Sequence, residues 1–522
     1  MKKLLLMSAL LLIAISVVVL HRPFAQTQYI PRAVFCPTLS NAPCSQLPAY
    51  IGPDPALGKG IRGYSGLFGP FPTSAANDVQ TPFDNMAWQM FIALNWAASQ
   101  VKQPPAKGLT TPGPRVYQTY RKVSTLFGNS RVTAQCTNQT GLPVFSIGSN
   151  GQGTPAPNNE EYFQASTNLP LIDINGNWTL FERRVNDIEA QYLLAPNGQS
   201  TQTLTTTTGQ TNFIESNPKG AQFTASATTP IGNNGSIEIK TAWRIINQSA
   251  GDNPSRYYTQ NALIAVAGDL VNGGQQICAP VTLGLVGMHI IQRNPVDPQQ
   301  AVLLPQWIWA TVEQVDNVPD AQAQCNVQNG CPTTNWINQA SCGAAAPSTS
   351  VRYSYYVQTQ GVQGTNVIPV ASNGSSFPWN PTQPYAKEAT TSSSFLPQAT
   401  RCWSIYPTTA QINTQWQTAL SAYKTPFQYY QVIGTQWGGS VEPREGNPLP
   451  ANAVPAMLSN TTLETYIQNY TGSTKDGPGP GSCVGCHKLA TLVPAPSPSA
   501  DFSFLPDLAE PSTARSKIKT PR

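Results

Sequence analysis

The chain has 522 residues, enough to bury one large core or the cores of two to three ordinary domains. Only 11% of the residues are charged, and 48 prolines and 39 glycines favour short strands and many turns over long helices. Loss of Lys2, Lys3 and Arg22 with an N-terminal leader would lower the formal charge from +5 to +2, and a nearly neutral protein is a poor partner for nucleic acid.

The N-terminus has the pattern of an export signal. Lys2 and Lys3 precede an unbroken apolar run over residues 4–20, and Ala25 is a small residue at a suitable cleavage point. We therefore expect residues 1–25 to be a signal peptide and the mature protein to be periplasmic or otherwise extracytoplasmic. An uncleaved membrane anchor is the alternative, because the apolar run is slightly long for a signal, and only in that case would the protein contact a membrane.

The first element of the mature chain is a buried helix. Residues 84–98 begin with Asp84 as a candidate N-cap and place Trp88, Phe91 and Leu94 at helical spacing. From about residue 168 to residue 315 the apolar period shortens, which favours strands.

A hairpin is predicted around Asn175 and Gly176, and three later segments continue the strand pattern. We therefore predict a fold that is mainly β with some α, with an antiparallel sheet or sandwich as its body. The charged residues of these strands are expected on solvated faces or in cross-strand pairs: Glu182, Arg183, Arg184, Glu238, Lys240 and Arg244.

The C-terminal region is predicted to be helical again. Residues 407–423 carry an apolar stripe after Pro407, and residues 459–470 contain Thr461 and Glu464 at capping-box spacing. A further short helix is expected to end at Leu492. We accordingly divide the mature chain into a β-rich body with a few helices, 26–445, and a C-terminal segment packed on that body, 446–522.

Export changes the interpretation of the ten cysteines, because thiols outside the cytoplasm tend to pair. Two of them belong to a motif described below. The remaining eight allow up to four disulfides, with Cys36–Cys44 and Cys325–Cys331 as the favoured local bridges. The full set of eight is Cys36, Cys44, Cys136, Cys278, Cys325, Cys331, Cys342 and Cys402.

One motif carries most of the chemical information. Cys483 and Cys486 are separated by two residues, and His487 follows directly. A Cys-x-x-Cys pair alone is typical of a redox dithiol or of half a zinc site, but the sequence offers neither a thioredoxin-like context nor a second such pair. The complete pattern is typical of covalent haem attachment, in which two thiols add to the vinyl groups of the porphyrin and the histidine ligates the iron. A disulfide beside an incidental histidine is the alternative.

With this motif the chain resembles a c-type cytochrome. The segments GLVGMHII, PQWIWATVEQVDNVP and TTLETYIQNY, together with the motif, resemble a group of large, exported, single-haem bacterial proteins of the cytochrome c family. The resemblance implies one covalently bound haem c, attached through Cys483 and Cys486, with His487 as the proximal iron ligand. It does not imply the small cytochrome c fold, in which the motif comes early and a later methionine is the second ligand, because no methionine follows Cys486 here.

The second axial ligand must therefore come from elsewhere in the chain, from another chain, or be absent. His289 and Met457 are the two candidates, and Met86 and Met90 are more remote. On a strand, Met288 and His289 point to opposite faces, so only one of them can reach a given pocket. The β-rich body is expected to supply one wall of the pocket, and the aromatic residues after position 500 are expected to cover an exposed porphyrin edge.

Two classes of function follow, with a weaker third. The first is electron transfer by a mono-haem cytochrome whose partner is a redox protein or a small-molecule electron donor or acceptor. The second is a haem-dependent periplasmic oxidoreductase with a substrate pocket in the β-rich body. The third is a disulfide-stabilised binding protein without haem. Electron transfer is favoured, because the sequence contains no recognisable catalytic constellation and no nucleotide-binding fingerprint.

Overall fold

The computed structural model describes most of the body and three parts of the C-terminal segment. The predicted signal peptide, Cys36, Cys331 and Cys342 lie outside the described residues. The described residues are 43–48, 80–128, 136, 141–148, 162, 164, 170–226, 234–271, 274–294, 307–325, 351–357, 366, 379–380, 383–386, 399–438, 457–468, 482–493 and 498–509.

An eight-stranded sheet forms the centre of the described fold. Its strands are β1 (Arg121–Lys122), β2 (Val144–Ile147), β3 (Leu180–Val185), β4 (Ile237–Ile245), β5 (Thr259–Val266), β6 (Ile277–Arg293), β7 (Trp307–Gln314) and β12 (Tyr430–Gly438). They lie in the order β1-β3-β4-β6-β5-β2, with β7 beside β6 and β12 beside β7. All pairs are antiparallel except β2 with β5.

Two short sheets and seven α-helices complete the described elements. β8 (Asp320–Cys325) pairs with β11 (Arg401–Trp403), and β9 (Trp379–Asn380) pairs with β10 (Gln383–Ala386). None of the described helices combines the length and the apolar character needed to cross a bilayer. The helices are α1 (Gln80–Leu94), α2 (Pro105–Gly108), α3 (Val123–Phe127), α4 (Asp187–Leu194), α5 (Thr207–Ser216), α6 (Pro407–Ser421) and α7 (Cys483–His487).

The predicted fold class is confirmed: the body is β-rich, its large sheet is almost entirely antiparallel, and helices pack against it. The hairpin around Gly176 is also confirmed as a turn closed by a bridge between Ile172 and Trp178. Gly176 has a φ of 82°, a conformation that glycine adopts without a Cβ penalty.

Helices α1 and α6 cover the first face of the sheet with aromatic side chains. Trp88 of α1 stacks on Trp416 of α6 with ring centroids 5.6 Å apart, and Phe83 stacks on Trp437 of β12 at 3.7 Å. The prediction that Asp84 caps α1 is wrong, because the helix begins at Gln80. Asp84 is instead a buried acceptor inside the helix, bonded by side chains of Gln80, Thr409 and Thr435.

The second face of the sheet is covered by α4, α5 and the C-terminal segment. Ile291, Trp307 and Trp309 of the sheet form one apolar cluster with residues of those helices and with Val484 and Phe502 of the segment. Because both faces are buried, the charged strand residues lie against protein instead of water.

Of the two expectations for these charged residues, solvated faces are wrong for Glu182, Glu238 and Arg244, whereas Glu182 of β3 does form a cross-strand pair, with Lys122 of β1. Glu182 and Glu238 are only 7% and 9% exposed. Glu182 accepts from Lys122 and Arg184, each at 2.8 Å. Arg244 is also buried, and its guanidinium forms two ion pairs with aspartates of the neighbouring loops. Glu182 and Arg244 are tolerated in the interior because each is matched by hydrogen-bonded partners of opposite charge.

The helix predicted over residues 407–423 is confirmed as α6, but the one predicted over residues 459–470 is not formed. That segment makes turns and a single 3-10 turn, Thr465–Ile467. The reason is that its polar groups bond to the sheet: the N–H and the hydroxyl of Thr461 both donate to the Glu313 carboxylate of β7. These contacts replace the local capping box.

The cysteines divide into bonded and reduced groups. Cys136 and Cys278 form a disulfide that was not singled out from the sequence, and Cys44 and Cys402 are also disulfide-bonded. The predicted local bridges Cys36–Cys44 and Cys325–Cys331 each include a residue outside the described part of the chain. Cys483 and Cys486 carry free thiols.

Replacement of Trp88 by alanine should lower the free energy of unfolding by about 3–5 kcal/mol. The substitution opens a cavity among the buried aromatic side chains between α1, α6 and the first face of the sheet, and it removes the stack on Trp416. The measurement is urea unfolding followed by circular dichroism. Val101→Ala is the control, since Val101 is 42% exposed and its truncation should change stability by less than about 0.5 kcal/mol. Equal effects of the two substitutions would contradict this account of the layer.

Candidate functional site

The site is built around the five-residue helix α7, which contains the whole Cys-x-x-Cys-His motif. Ser482 caps its N-terminus, accepting a hydrogen bond from the N–H of Gly485 at 3.2 Å. The side-chain oxygen of Gln436, on β12, accepts from the Ser482 hydroxyl at 3.1 Å and from the Val484 N–H at 3.2 Å. The motif is therefore tied directly to an edge strand of the large sheet.

The motif helix is shorter than predicted, ending at His487 instead of Leu492. The chain turns back after Leu489 because its backbone pairs with the following segment. Ala490 accepts from the N–H of Ala500, and Leu492 donates to the carbonyl of Pro498. This return brings the residues after position 500 alongside His487.

Both motif thiols are half-buried and stay protonated. Burial raises the pKa of Cys483 well above its usual range, and the nearby Glu464 carboxylate raises it further. Burial and Glu464 likewise raise the pKa of Cys486 to about 11. Redox-active dithiols require a lowered thiol pKa, so the environment does not favour the redox-dithiol alternative. The Cys483 thiol lies 3.5 Å from the carbonyl oxygen of Leu458.

His487 has one ring nitrogen committed to the protein. Its Nδ1 lies 2.7 Å from the carbonyl oxygen of Phe502, and because a carbonyl can only accept, Nδ1 carries the proton. Burial lowers the pKa of His487 to about 4, so the imidazole is neutral near pH 7 and Nε2 keeps its lone pair. The rings of Trp309 and Phe504 lie 5.8 and 5.2 Å from the imidazole.

The second sheet face presents a row of polar residues to this segment. Arg183 of β3 is opposite Lys240 of β4, Lys240 is opposite His289 of β6, and His289 is opposite Thr311 of β7. Burial lowers the pKa of Lys240, against the attraction of Glu464. Its ammonium lies over the Phe181 ring at 5.6 Å. The row therefore forms a polar wall for the site.

Of the predicted distal ligands, His289 faces the C-terminal segment. Its Nε2 lies 2.9 Å from both carboxylate oxygens of Glu464. Burial would raise the pKa of Glu464, but the attraction and hydrogen bond of His289, together with Lys240, lower it. Glu313, on the neighbouring strand β7, is paired with Arg401 at 2.9 Å and not with His289.

Three methionines lie on the first face of the sheet, opposite to the face that carries the motif. Met288, like Met86 and Met90, belongs to the apolar cluster of the first face, so the sheet separates all three from the motif. The opposite orientations predicted for Met288 and His289 are confirmed by this placement. Met457 is buried and precedes Leu458, which bridges to Ser482 at the start of the motif.

These residues fit a covalently attached haem in the chemistry of their donors. The motif offers two reduced thiols and a neutral imidazole whose Nε2 has no proton, which are the groups that thioether formation and iron ligation require. The Nδ1–H bond to a backbone carbonyl is the kind of contact that orients a metal-binding histidine.

Sequence reasoning missed three contributors to the site. Glu464 was interpreted only as a capping residue, Lys240 as part of a solvated face, and Asp501 was not singled out. No local signal identified them, because each acts through a partner on a distant strand or helix. The scarcity of acidic residues in the chain, 25 Asp and Glu in total, is a hint that Glu464 and Asp501 have specific partners.

Comparisons with protein-family models, with curated proteins and with solved structures found no match to this chain. The function of the site therefore follows from its own residues and contacts.

In the haem-free chain, His487 should make stability depend on pH. Its folded pKa of about 4 lies below the usual 6.5, so between these values the unfolded chain binds a proton that the folded chain does not. The contribution, up to about 3 kcal/mol, is complete above pH 6.5 and is lost as the pH falls towards 4. Urea unfolding at pH 4.5 and pH 7 measures it. His487→Asn should show a weaker pH dependence, and parallel curves for the two proteins would contradict the assignment.

Proposed function

We propose that the protein is an exported mono-haem c-type cytochrome that transfers electrons through a haem c bound to Cys483 and Cys486, with His487 as the proximal ligand. The observation that carries the proposal is the pairing of two reduced, adjacent thiols with a histidine whose Nδ1–H is held by the Phe502 carbonyl. Every other described cysteine for which bonding is known is in a disulfide, so the reduced state of this pair is a local property.

When bound, the haem would supply one-electron exchange between ferrous and ferric iron. The chain's own residues would do the rest. Trp309, Phe502 and Phe504 supply an apolar, water-poor surface around His487. The Phe502 carbonyl holds the imidazole in one tautomer and increases its basicity, which would favour the ferric state of a bound haem and lower its reduction potential. The partner would be a redox protein or a small-molecule electron donor or acceptor.

For the second axial position we propose His289, ahead of Met457. His289 lies on the polar wall that faces the motif. Binding through Nε2 would require the imidazole to leave the Glu464 carboxylate. Met457 is the second candidate because its neighbour Leu458 bridges to the start of the motif.

The hydrogen bond between His289 and Glu464 also supports a second candidate function. If His289 stays on Glu464 and no other residue takes its place as a ligand, a small molecule could bind the iron, and the buried imidazole–carboxylate pair would be available as a general acid or base. That arrangement would suit a haem-dependent periplasmic oxidoreductase acting on a small molecule. The third candidate, a binding protein without haem, is not supported by any specific contact of the motif.

Expression with the bacterial haem-attachment machinery should yield a red protein that keeps its haem after denaturation, because thioether bonds survive unfolding. Mass spectrometry should find one haem on the tryptic peptide that contains the motif. Cys483→Ala should leave a single thioether and shift the pyridine haemochrome band to longer wavelength, and the double variant Cys483→Ala/Cys486→Ala should lose covalent haem entirely.

The matched control is Cys136→Ala/Cys278→Ala, which also removes two cysteines but should keep the haem. A disulfide between Cys483 and Cys486 in protein matured with that machinery, or colourless protein, would contradict the proposed function.

His289→Ala should remove the second ligand, converting ferric iron from low spin to high spin and making ferrous protein bind carbon monoxide rapidly. Absorption and electron paramagnetic resonance spectra measure both changes. Met457→Leu, a volume-conserving control, should leave them unaltered. The reverse result would assign the ligand to Met457, and rapid carbon monoxide binding by the unaltered protein would support the oxidoreductase.

A further inference from the structure

The turn that presents the Phe502 carbonyl to His487 has an unusual backbone. Asp501 and Phe502 have φ values of 54° and 69°, in the left-handed region. Two consecutive non-glycine residues in this region cost free energy, so the surrounding structure must hold them there. Asp tolerates this conformation better than most residues, whereas Phe does not.

A buried ion pair holds the turn to the sheet. The Arg293 Nε at the end of β6 lies 3.1 Å from Oδ2 of Asp501, and both side chains are less than a tenth exposed. The same oxygen accepts from the N–H of Phe223 at 2.8 Å. The Arg293 guanidinium lies over the Trp307 ring at 5.7 Å, which fixes its direction.

A backbone hydrogen bond also holds the turn to the body. Ala221 donates its N–H to the carbonyl oxygen of Ser499 at 2.9 Å. The approach is possible only because residue 220 is glycine, with a φ of 96°: a Cβ there would lie 2.1 Å from the Ser499 oxygen. The Ser499 hydroxyl then accepts from the N–H of Asp501 at 3.0 Å. Residues 499–502 are therefore held to the body by the segment that contains Ala221 and Phe223 and by the end of β6.

We propose that the Arg293–Asp501 ion pair is the positioning device of the proximal histidine: by fixing the strained turn, it aims the Phe502 carbonyl at Nδ1 of His487 and thereby sets the ligand's orientation and the reduction potential of the haem. This inference rests on the proposed function. Neither Arg293 nor Asp501 touches His487, so both act through the turn.

The sign of the change in the reduction potential distinguishes a positioning role of the ion pair from a direct electrostatic effect of its charges on the haem. By charge alone, removal of the Asp501 carboxylate should raise the potential, while removal of the Arg293 guanidinium should lower it, because a nearby cation favours ferrous iron. If the pair acts by positioning, both removals weaken the Nδ1–H bond and make the imidazole less basic, so both raise the potential. Arg293 is therefore the decisive residue.

The experiment compares Arg293→Gln, Asp501→Asn and Arg293→Lys in the haem-loaded full chain. Asp501→Asn is the mildest change, because Asn tolerates the left-handed conformation and can still accept from Phe223. The readouts are the midpoint potential by spectroelectrochemistry and the paramagnetic NMR shifts of the haem methyl groups, which report the plane of the imidazole. Arg121→Gln and Asp187→Asn, from an exposed Arg–Asp pair at 2.9 Å, make the same charge changes as controls.

We expect Arg293→Gln and Asp501→Asn both to raise the potential and to move the haem methyl shifts, Arg293→Lys to return both readouts towards the unaltered protein, and the controls to change neither. A lowered potential in Arg293→Gln with unmoved methyl shifts would overturn the proposal, as would unchanged potentials in both variants. If Arg293→Gln does not accumulate, Asp501→Asn with unmoved methyl shifts still overturns it. Absence of covalent haem from the unaltered protein would instead refute the proposed function.

Discussion

The constraint on which the structure depends is the alternation of side chains along β6. This strand has 17 residues and pairs with β4, β5 and β7, so it joins nearly all of the large sheet. Met288 points into the aromatic layer under α1 and α6, while His289 and Ile291 point towards the C-terminal segment. A shift of one residue in its register would exchange these sets and destroy both layers at once.

Three buried polar pairs connect the second face of the sheet to later parts of the chain. His289 binds Glu464, Arg293 binds Asp501, and Glu313 binds Arg401. In each pair one partner lies on β6 or β7 and the other follows residue 400. Because an unpaired buried charge is strongly unfavourable, all three are satisfied only when the later segments dock in this one arrangement. The pairs therefore specify where the motif lies, while Val484, Phe502 and their apolar neighbours supply the burial.

The same contacts explain which local predictions succeeded. Helix α6 and the strands β4, β6 and β7 have strong periodic patterns, and the tertiary structure agrees with them. Asp84 and the pair Thr461 and Glu464 look like capping residues in the sequence, but their oxygens and N–H groups bond to residues on other elements. A cap and a long-range partner compete for the same side chain, and sequence spacing describes only the cap.

The sequence by itself determined the β-rich class of the fold and the choice of Cys483, Cys486 and His487, because strand periodicity and the motif both lie in short, contiguous stretches. Only the tertiary structure decided that Glu464 holds His289, that Lys240 lies in a wall of the site, and that Arg293 and Asp501 fix the turn beside His487. The physical reason is separation along the chain: Arg293 and Asp501 are 208 positions apart, and they meet only because the sheet and the C-terminal segment bury a common apolar face.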